Sequence, residues 1–195
     1  MNNLQVVPGS LQAEASKGKS LAEVYSQTKL VILSDNSDSM AELDGINSHN
    51  KHSARYEVRD EVLKKFESQY PGKIALLSFA SEAHPCPGGL QDSPRGGTRF
   101  VTAFDLLDQL YIDGQRVLLI SDGEAFDNVD EMSRRAKRYS GKIDFAFAGS
   151  IRDEDGKKYL MALAKATGGN FYQNVFQVAN QHLALENRVN QLLLT

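Results

Sequence analysis

Short, unbroken apolar runs recur along this chain, and stretches with helical spacing separate them. The runs are Leu30-Val31-Ile32-Leu33, residues 73–80 (KIALLSFA), residues 116–121 (RVLLIS) and residues 143–148. Each is too short and too continuous for an amphipathic helix, and each reads as a strand buried on both faces. Between them, residues 53–69 place Val58, Val62 and Phe66 on one helical face, and residues 99–111 do the same with Val101, Phe104, Leu107 and Tyr111. Residues 128–139 predict a charged helix, and residues 157–167 a helix stopped by Gly168-Gly169. Residues 170–173 read as a last strand, and residues 175–193 as a closing helix with Val178, Leu185, Val189 and Leu192 or Leu193 inward. Strands alternating with helices run parallel, because a crossover helix returns the chain to the same end of the sheet. The expected fold is therefore a three-layer α/β/α, doubly wound domain with a mostly parallel six-stranded sheet. Residues 83–97, with three prolines and four glycines, predict loop with one short antiparallel edge strand in 83–90.

The first 28 residues are polar and loosely patterned and read as an N-terminal extension to a domain over 29–195. Pro8-Gly9 marks a turn, and Ser20-Leu21-Ala22-Glu23 fits a capping box opening a short helix over 20–27. A length of 195 residues matches one domain with a full core. The 22 basic and 25 acidic residues leave a net charge of −3, which argues against a nucleic-acid-coating role. The lone Cys86 cannot form an intrachain disulfide, the start lacks a basic and apolar leader, and no run approaches the ~20 apolar residues that span a bilayer. These features predict a cytoplasmic protein without a membrane segment.

In such a sheet, ligands bind beyond the carboxyl ends of the strands, where the strand order reverses. The first core strand ends in Ser34-Asp35-Asn36-Ser37-Asp38-Ser39, and the 116–121 strand runs into Ser121-Asp122-Gly123-Glu124. Gly96-Gly97-Thr98 opens the helix between them. Three hydroxyls (Ser37, Ser39, Thr98) and two carboxylates (Asp35, Asp122) thus share one sheet edge. An all-oxygen set suits a hard cation, and its few charges suit Mg²⁺ with retained waters, with Mn²⁺ or Ca²⁺ as alternatives. Neutral hydroxyl ligands leave the ion electrophilic, so a carboxylate from outside can complete its shell.

Asp35-x-Ser37-x-Ser39, Thr98 in a Gly-Gly-Thr loop, and Ser121-Asp122-Gly123 after a buried strand resemble the von Willebrand factor A domain family and its metal-ion-dependent adhesion site. The resemblance covers residues 29–193 and points to members of intracellular prokaryotic or viral type. It implies strand order 3-2-1-4-5-6 and a divalent-metal-dependent protein-interaction module, usually without catalytic activity. It also implies that Ser37, Ser39 and Thr98 bind the metal directly, that Asp35 and Asp122 reach it through water, and that a protein partner supplies an Asp or Glu. The family has glycine where this chain has Asp38, which adds a carboxylate beside the metal or points it to solvent.

Two other readings stand beside this one: a metal-dependent phosphoester hydrolase and a metal-free scaffold. Other motifs fail. Gly18-Lys19-Ser20 lacks the first glycine of a phosphate loop, since residue 13 is Ala13. The 35–40 loop has Met40 where a calcium-binding EF-hand needs glycine. His49, His52, His84 and His182 are scattered and support no zinc site. Arg134, Arg135, Lys137 and Arg138 read as a solvated helix face, Glu124 as a solvated loop carboxylate, and Thr98 doubles as a candidate helix cap.

Overall fold

The computed structural model describes residues 6–139 and 143–178. The elements in chain order are α1 (Leu11–Ala15), α2 (Leu21–Tyr25), β1 (Leu30–Asp35), a 3-10 turn (Asp38–Ala41), β2 (Gly45–Ile46), β3 (His52–Ser53) and α3 (Arg55–Gln69). There follow β4 (Ile74–Phe79), β5 (Ala83–Pro85), α4 (Phe100–Leu110), β6 (Arg116–Ser121), α5 (Val129–Ala136) with a 3-10 turn (Lys137–Tyr139), β7 (Ile143–Phe147), α6 (Glu154–Thr167) and β8 (Phe171–Tyr172). Six strands form one sheet in the order β5-β4-β1-β6-β7-β8. All neighbours in it are parallel except β5 against β4. Counting only these strands in chain order, the arrangement is 3-2-1-4-5-6, as the resemblance implies.

Alternation along the strands divides the core. Val31, Leu33, Leu77, Val117, Leu119 and Phe145 face α4, α5 and α6, meeting Phe100, Phe104, Leu107, Met132 and Leu160. Ile32, Leu76, Leu118 and Ile120 face the other way, onto Val58, Val62, Leu63 and Phe66 of α3. Burial on both faces explains why the strands are continuous apolar runs. The reversal of strand order falls between β1 and β6, so the loops that follow these two strands open side by side.

Local chemistry sets the element ends. Ser20 accepts from the Glu23 N–H, and the Glu23 carboxylate accepts from Ser20 N at 2.6 Å, so the expected capping box forms. Helix α6 begins at Glu154, three residues before the sequence expectation, because Asp153 caps it by accepting from Gly156 N. Gly156 weakens the helical signal, but a Cβ there would lie 2.0 Å from the Asp122 carbonyl oxygen. The two-residue strands β2 and β3 and the five-residue α1 carry too few residues for a periodic signal. Of the closing helix expected over 175–193, residues 175–178 are helical and the remainder lies outside the described residues.

Residues 6–28 lie against the domain. Leu11 and Val24 enter its core on the α4 side. Val7 N donates to Gly88 O at 2.9 Å, and Gly72 N donates to Gly9 O at 2.8 Å. Beneath them Glu67 of α3 is buried, with Oε2 unpartnered and 2.4 Å from where a Cβ at Gly89 would stand. Burial pushes the Glu67 pKa up from 4.5 to about 7. The folded state therefore keeps this proton where the unfolded chain has released it. That contribution to stability is complete below pH 4.5 and is lost as pH rises through about 7. Thermal melts of Glu67→Gln and wild type should diverge across this window, with the variant melting higher above it. A constant difference from acid to neutral pH would contradict this account.

Candidate functional site

The five residues predicted from the sequence converge where β1 and β6 end. Asp35, the last residue of β1, is fully buried. Its Oδ1 accepts from Ser37 N at 2.9 Å and its Oδ2 from Ser121 Oγ at 2.6 Å. Ser37 and Ser39 hydroxyls lie 3.1 Å apart, and Thr98 Oγ1 lies 2.9 Å from Ser37 Oγ. The 3-10 turn that presents Ser39 is anchored by Met40, which is fully buried in the α3-side core. Asp38 N donates to Gly96 O and Arg95 N to Asn36 O, both backbone bonds that stitch the β1 loop to the Thr98 loop. Thr98 does not cap α4; the cap position is Arg99 and makes no side-chain bond. The Thr98 hydroxyl is thereby left to the site.

Asp38 is exposed at the first position of the 3-10 turn. Asn50 is the one described non-glycine residue with positive φ, so the Asp38 backbone does not need glycine. Its carboxylate faces solvent.

Asp122 is also fully buried. Its Oδ1 accepts from Glu124 N at 3.1 Å, and its Oδ2 accepts from Arg55 at 2.8 Å. Arg55, the first residue of α3, is itself 2% exposed. Its guanidinium also donates to Glu124 at 2.9 Å, Glu42 at 2.7 Å and both oxygens of Asp44. Burial opposes its charge, but Asp44, Glu124 and Asp122 outweigh that and hold its pKa above the usual arginine value. Glu124 is the exposed loop carboxylate that the sequence predicts, and it also pairs with this buried arginine. One turn along α3, buried Arg59 donates to the Asp35 carbonyl oxygen and to Asn36 Oδ1. Both arginines were missed from the sequence, although 55, 59, 62 and 66 continue one helical stripe. Charges on an otherwise apolar stripe were the available signal.

Among the described residues, no cationic side chain pairs with Asp35. Burial and the neighbouring Asp122 charge raise its pKa to about 7, against the hydrogen bonds from Ser121 and Ser37 that lower it. A dication would reverse that penalty. The hydroxyl spacings suit one: Mg–O distances of about 2.0–2.1 Å put adjacent octahedral ligands about 2.9 Å apart. The Ser37–Thr98 and Ser37–Ser39 separations are 2.9 and 3.1 Å. Among the described residues, no group of three or more His, Cys, Asp or Glu is placed to hold a metal ion. A cation here would therefore depend on the hydroxyls. Cys86 is buried, and burial raises its thiol pKa to about 11, which leaves it inert at neutral pH.

No family model matches the chain, and no curated protein matches it. Solved structures do share the fold. An aerotolerance-related membrane protein from Bacteroides fragilis NCTC 9343, solved with multiple mutations to serine, superposes with a TM-score of 0.58 at 16% identity, covering 84% of this chain and 99% of that one. The SpRpn10 VWA domain superposes with a TM-score of 0.55 at 14% identity, covering 80% of this chain and 95% of that one. The chain thus has the mostly parallel α/β architecture of a VWA domain.

Two variants probe the site's framework. Arg55→Met leaves Asp122 buried without its counter-charge and should cost about 3–5 kcal/mol in urea denaturation, with Asp122→Asn added to it restoring part of the loss. A loss below about 0.5 kcal/mol would show that the pair does not hold the edge. Asp38→Gly should cost at most about 1 kcal/mol, the ordinary glycine penalty in a helical turn.

Proposed function

We propose that this chain is a divalent-cation-dependent protein-interaction module. The observation that carries the reading is the convergence of three hydroxyls, on Ser37, Ser39 and Thr98, with the buried carboxylates of Asp35 and Asp122 on a VWA-type fold. Ser37, Ser39 and Thr98 are the proposed direct ligands of Mg²⁺, or of Mn²⁺ or Ca²⁺, and Asp35 and Asp122 act on it through water. A cation bound there supplies an electrophilic position for a partner's Asp or Glu. The chain's own residues do the rest. Ser121 and the Ser37 N–H orient Asp35. Arg55 and the Glu124 N–H commit both oxygens of Asp122, which favours a water-mediated role for it over direct ligation.

The module works by binding and not by turnover in this reading, with a protein as its partner and the cytoplasm as its setting. No helix among the described residues is long and apolar enough to cross a membrane. One observation favours a second reading, a metal-free scaffold: Arg55 gives Asp122 a built-in counter-cation.

Calorimetric titration of EDTA-stripped protein with Mg²⁺ and Mn²⁺ separates the two. The cation reading expects one saturable site, weakened at least tenfold, a loss of about 1.4 kcal/mol or more, in both Asp35→Ala and Thr98→Ala. Binding that neither variant changes would place the metal elsewhere, and no heat of binding for either ion would favour the scaffold.

A further inference from the structure

We propose that Arg55 is the positioning residue that sets which cation this site takes. By keeping Asp122 out of direct contact with the metal, it makes the site one for Mg²⁺ or Mn²⁺ and a poor one for Ca²⁺. This inference rests on the cation-binding reading above and narrows its choice of ion.

The two buried acids are held in different ways. Asp35 is held by neutral donors, the Ser121 hydroxyl and the Ser37 N–H, so its charge stays available to an ion. Asp122 is held on Oδ1 by the Glu124 N–H at 3.1 Å and on Oδ2 by Arg55 Nη1 at 2.8 Å. The guanidinium offsets the Asp122 charge from inside the protein. It also stands close: an ion bound directly to Oδ2 would lie within about 5.5 Å of a second cation, given metal–oxygen distances of about 2.0–2.6 Å. A water between Asp122 and the ion keeps the two positive charges farther apart.

Arg55 is not free to step aside. Its Nε and Nη2 hold the two oxygens of Asp44 at 2.7 and 2.9 Å, Nη2 also holds Glu42 at 2.7 Å, and Nη1 holds Glu124 at 2.9 Å. Its backbone N–H donates to the Glu42 carbonyl at 3.1 Å. The planar fork is thus fixed from three sides other than Asp122.

The consequence is a choice of ion. Ca²⁺ takes six to eight oxygens, often from carboxylates bound through both oxygens, whereas Mg²⁺ demands an octahedron and keeps several waters. Both Asp122 oxygens are committed, Glu42, Asp44 and Glu124 face the same guanidinium, and Asp38 is exposed to solvent. Among the described residues, no group of three or more acids, His or Cys is placed to hold a metal. The hydroxyls remain, and their separations are 2.9 and 3.1 Å. Adjacent ligands stand about 2.9 Å apart around octahedral Mg²⁺ and about 3.3–3.7 Å apart around octahedral Ca²⁺. A higher Ca²⁺ coordination number would bring ligands closer, but it needs the carboxylate oxygens that Arg55 withholds.

The test is calorimetric titration of EDTA-stripped wild type and Arg55→Met with Mg²⁺, Mn²⁺ and Ca²⁺ in turn, at a temperature where circular dichroism shows both proteins folded. Wild type should bind Mg²⁺ and Mn²⁺ at least tenfold more tightly than Ca²⁺. In Arg55→Met the Asp122 carboxylate is free to turn to the ion, and Ca²⁺ affinity should rise at least tenfold relative to Mg²⁺ affinity. An arginine with a merely structural role would weaken all three ions alike. Should Arg55→Met fail to fold, wild type decides alone: broadening of the bound-Mn²⁺ paramagnetic resonance line in ¹⁷O-labelled water should count about three waters, the octahedral positions that three hydroxyls leave over. Equal wild-type affinities for Mg²⁺ and Ca²⁺, a preference that Arg55→Met leaves unchanged, or fewer waters would overturn the role of Arg55 and leave the cation reading standing. Binding of none of the three ions would overturn both.

Discussion

Two carboxylates, Asp35 and Asp122, are buried next to each other at the point where the strand order reverses, and the surrounding structure answers the cost of placing them there. Like charges in a poorly solvated site repel strongly, and each must find donors or a counter-charge. Asp122 has Arg55 and the Glu124 N–H. Asp35 has Ser121 and the Ser37 N–H but, among the described residues, no cationic side chain, and burial and the Asp122 charge push its pKa up. The hydroxyls of Ser37, Ser39 and Thr98 lie beside this pair with spacings that a small dication can use. Fold and chemistry therefore meet at one edge, where the strands bring the acids together and the loops bring the hydroxyls.

Arg55 connects this edge to its surroundings. Its guanidinium reaches four carboxylates, on Glu42, Asp44, Asp122 and Glu124. The β1 loop, the β6 loop and the start of α3 are thus locked through one planar, five-donor group, a task that lysine's single ammonium could not perform. Such a lock fixes the loop that carries Ser37 and Ser39, and in the proposed function this preorganisation lowers the ordering cost of binding.

The sheet was legible because its strands are buried on both faces and their composition is unambiguous; Leu30–Asp35 and Arg116–Ser121 stand out without any periodicity. The site residues were legible because they lie at strand ends, where parallel topology fixes their meeting place. Arg55 was not, since its role depends on contacts up to 69 residues away along the chain. The pairing of exposed Glu124 with Arg55 was hidden for the same reason. The hairpin of β2 and β3 has two residues per strand, too few for a pattern.

The central claim is that a dication binds the hydroxyl cluster beside Asp35 and Asp122. Anomalous diffraction from crystals grown with Mn²⁺ measures this most directly. The account predicts one anomalous peak within direct coordination distance of the Ser37 and Ser39 hydroxyls, with Arg55 still on Asp122. A peak elsewhere on the molecule, or an edge in which the three hydroxyls still bond one another with no metal at saturating Mn²⁺, would contradict it.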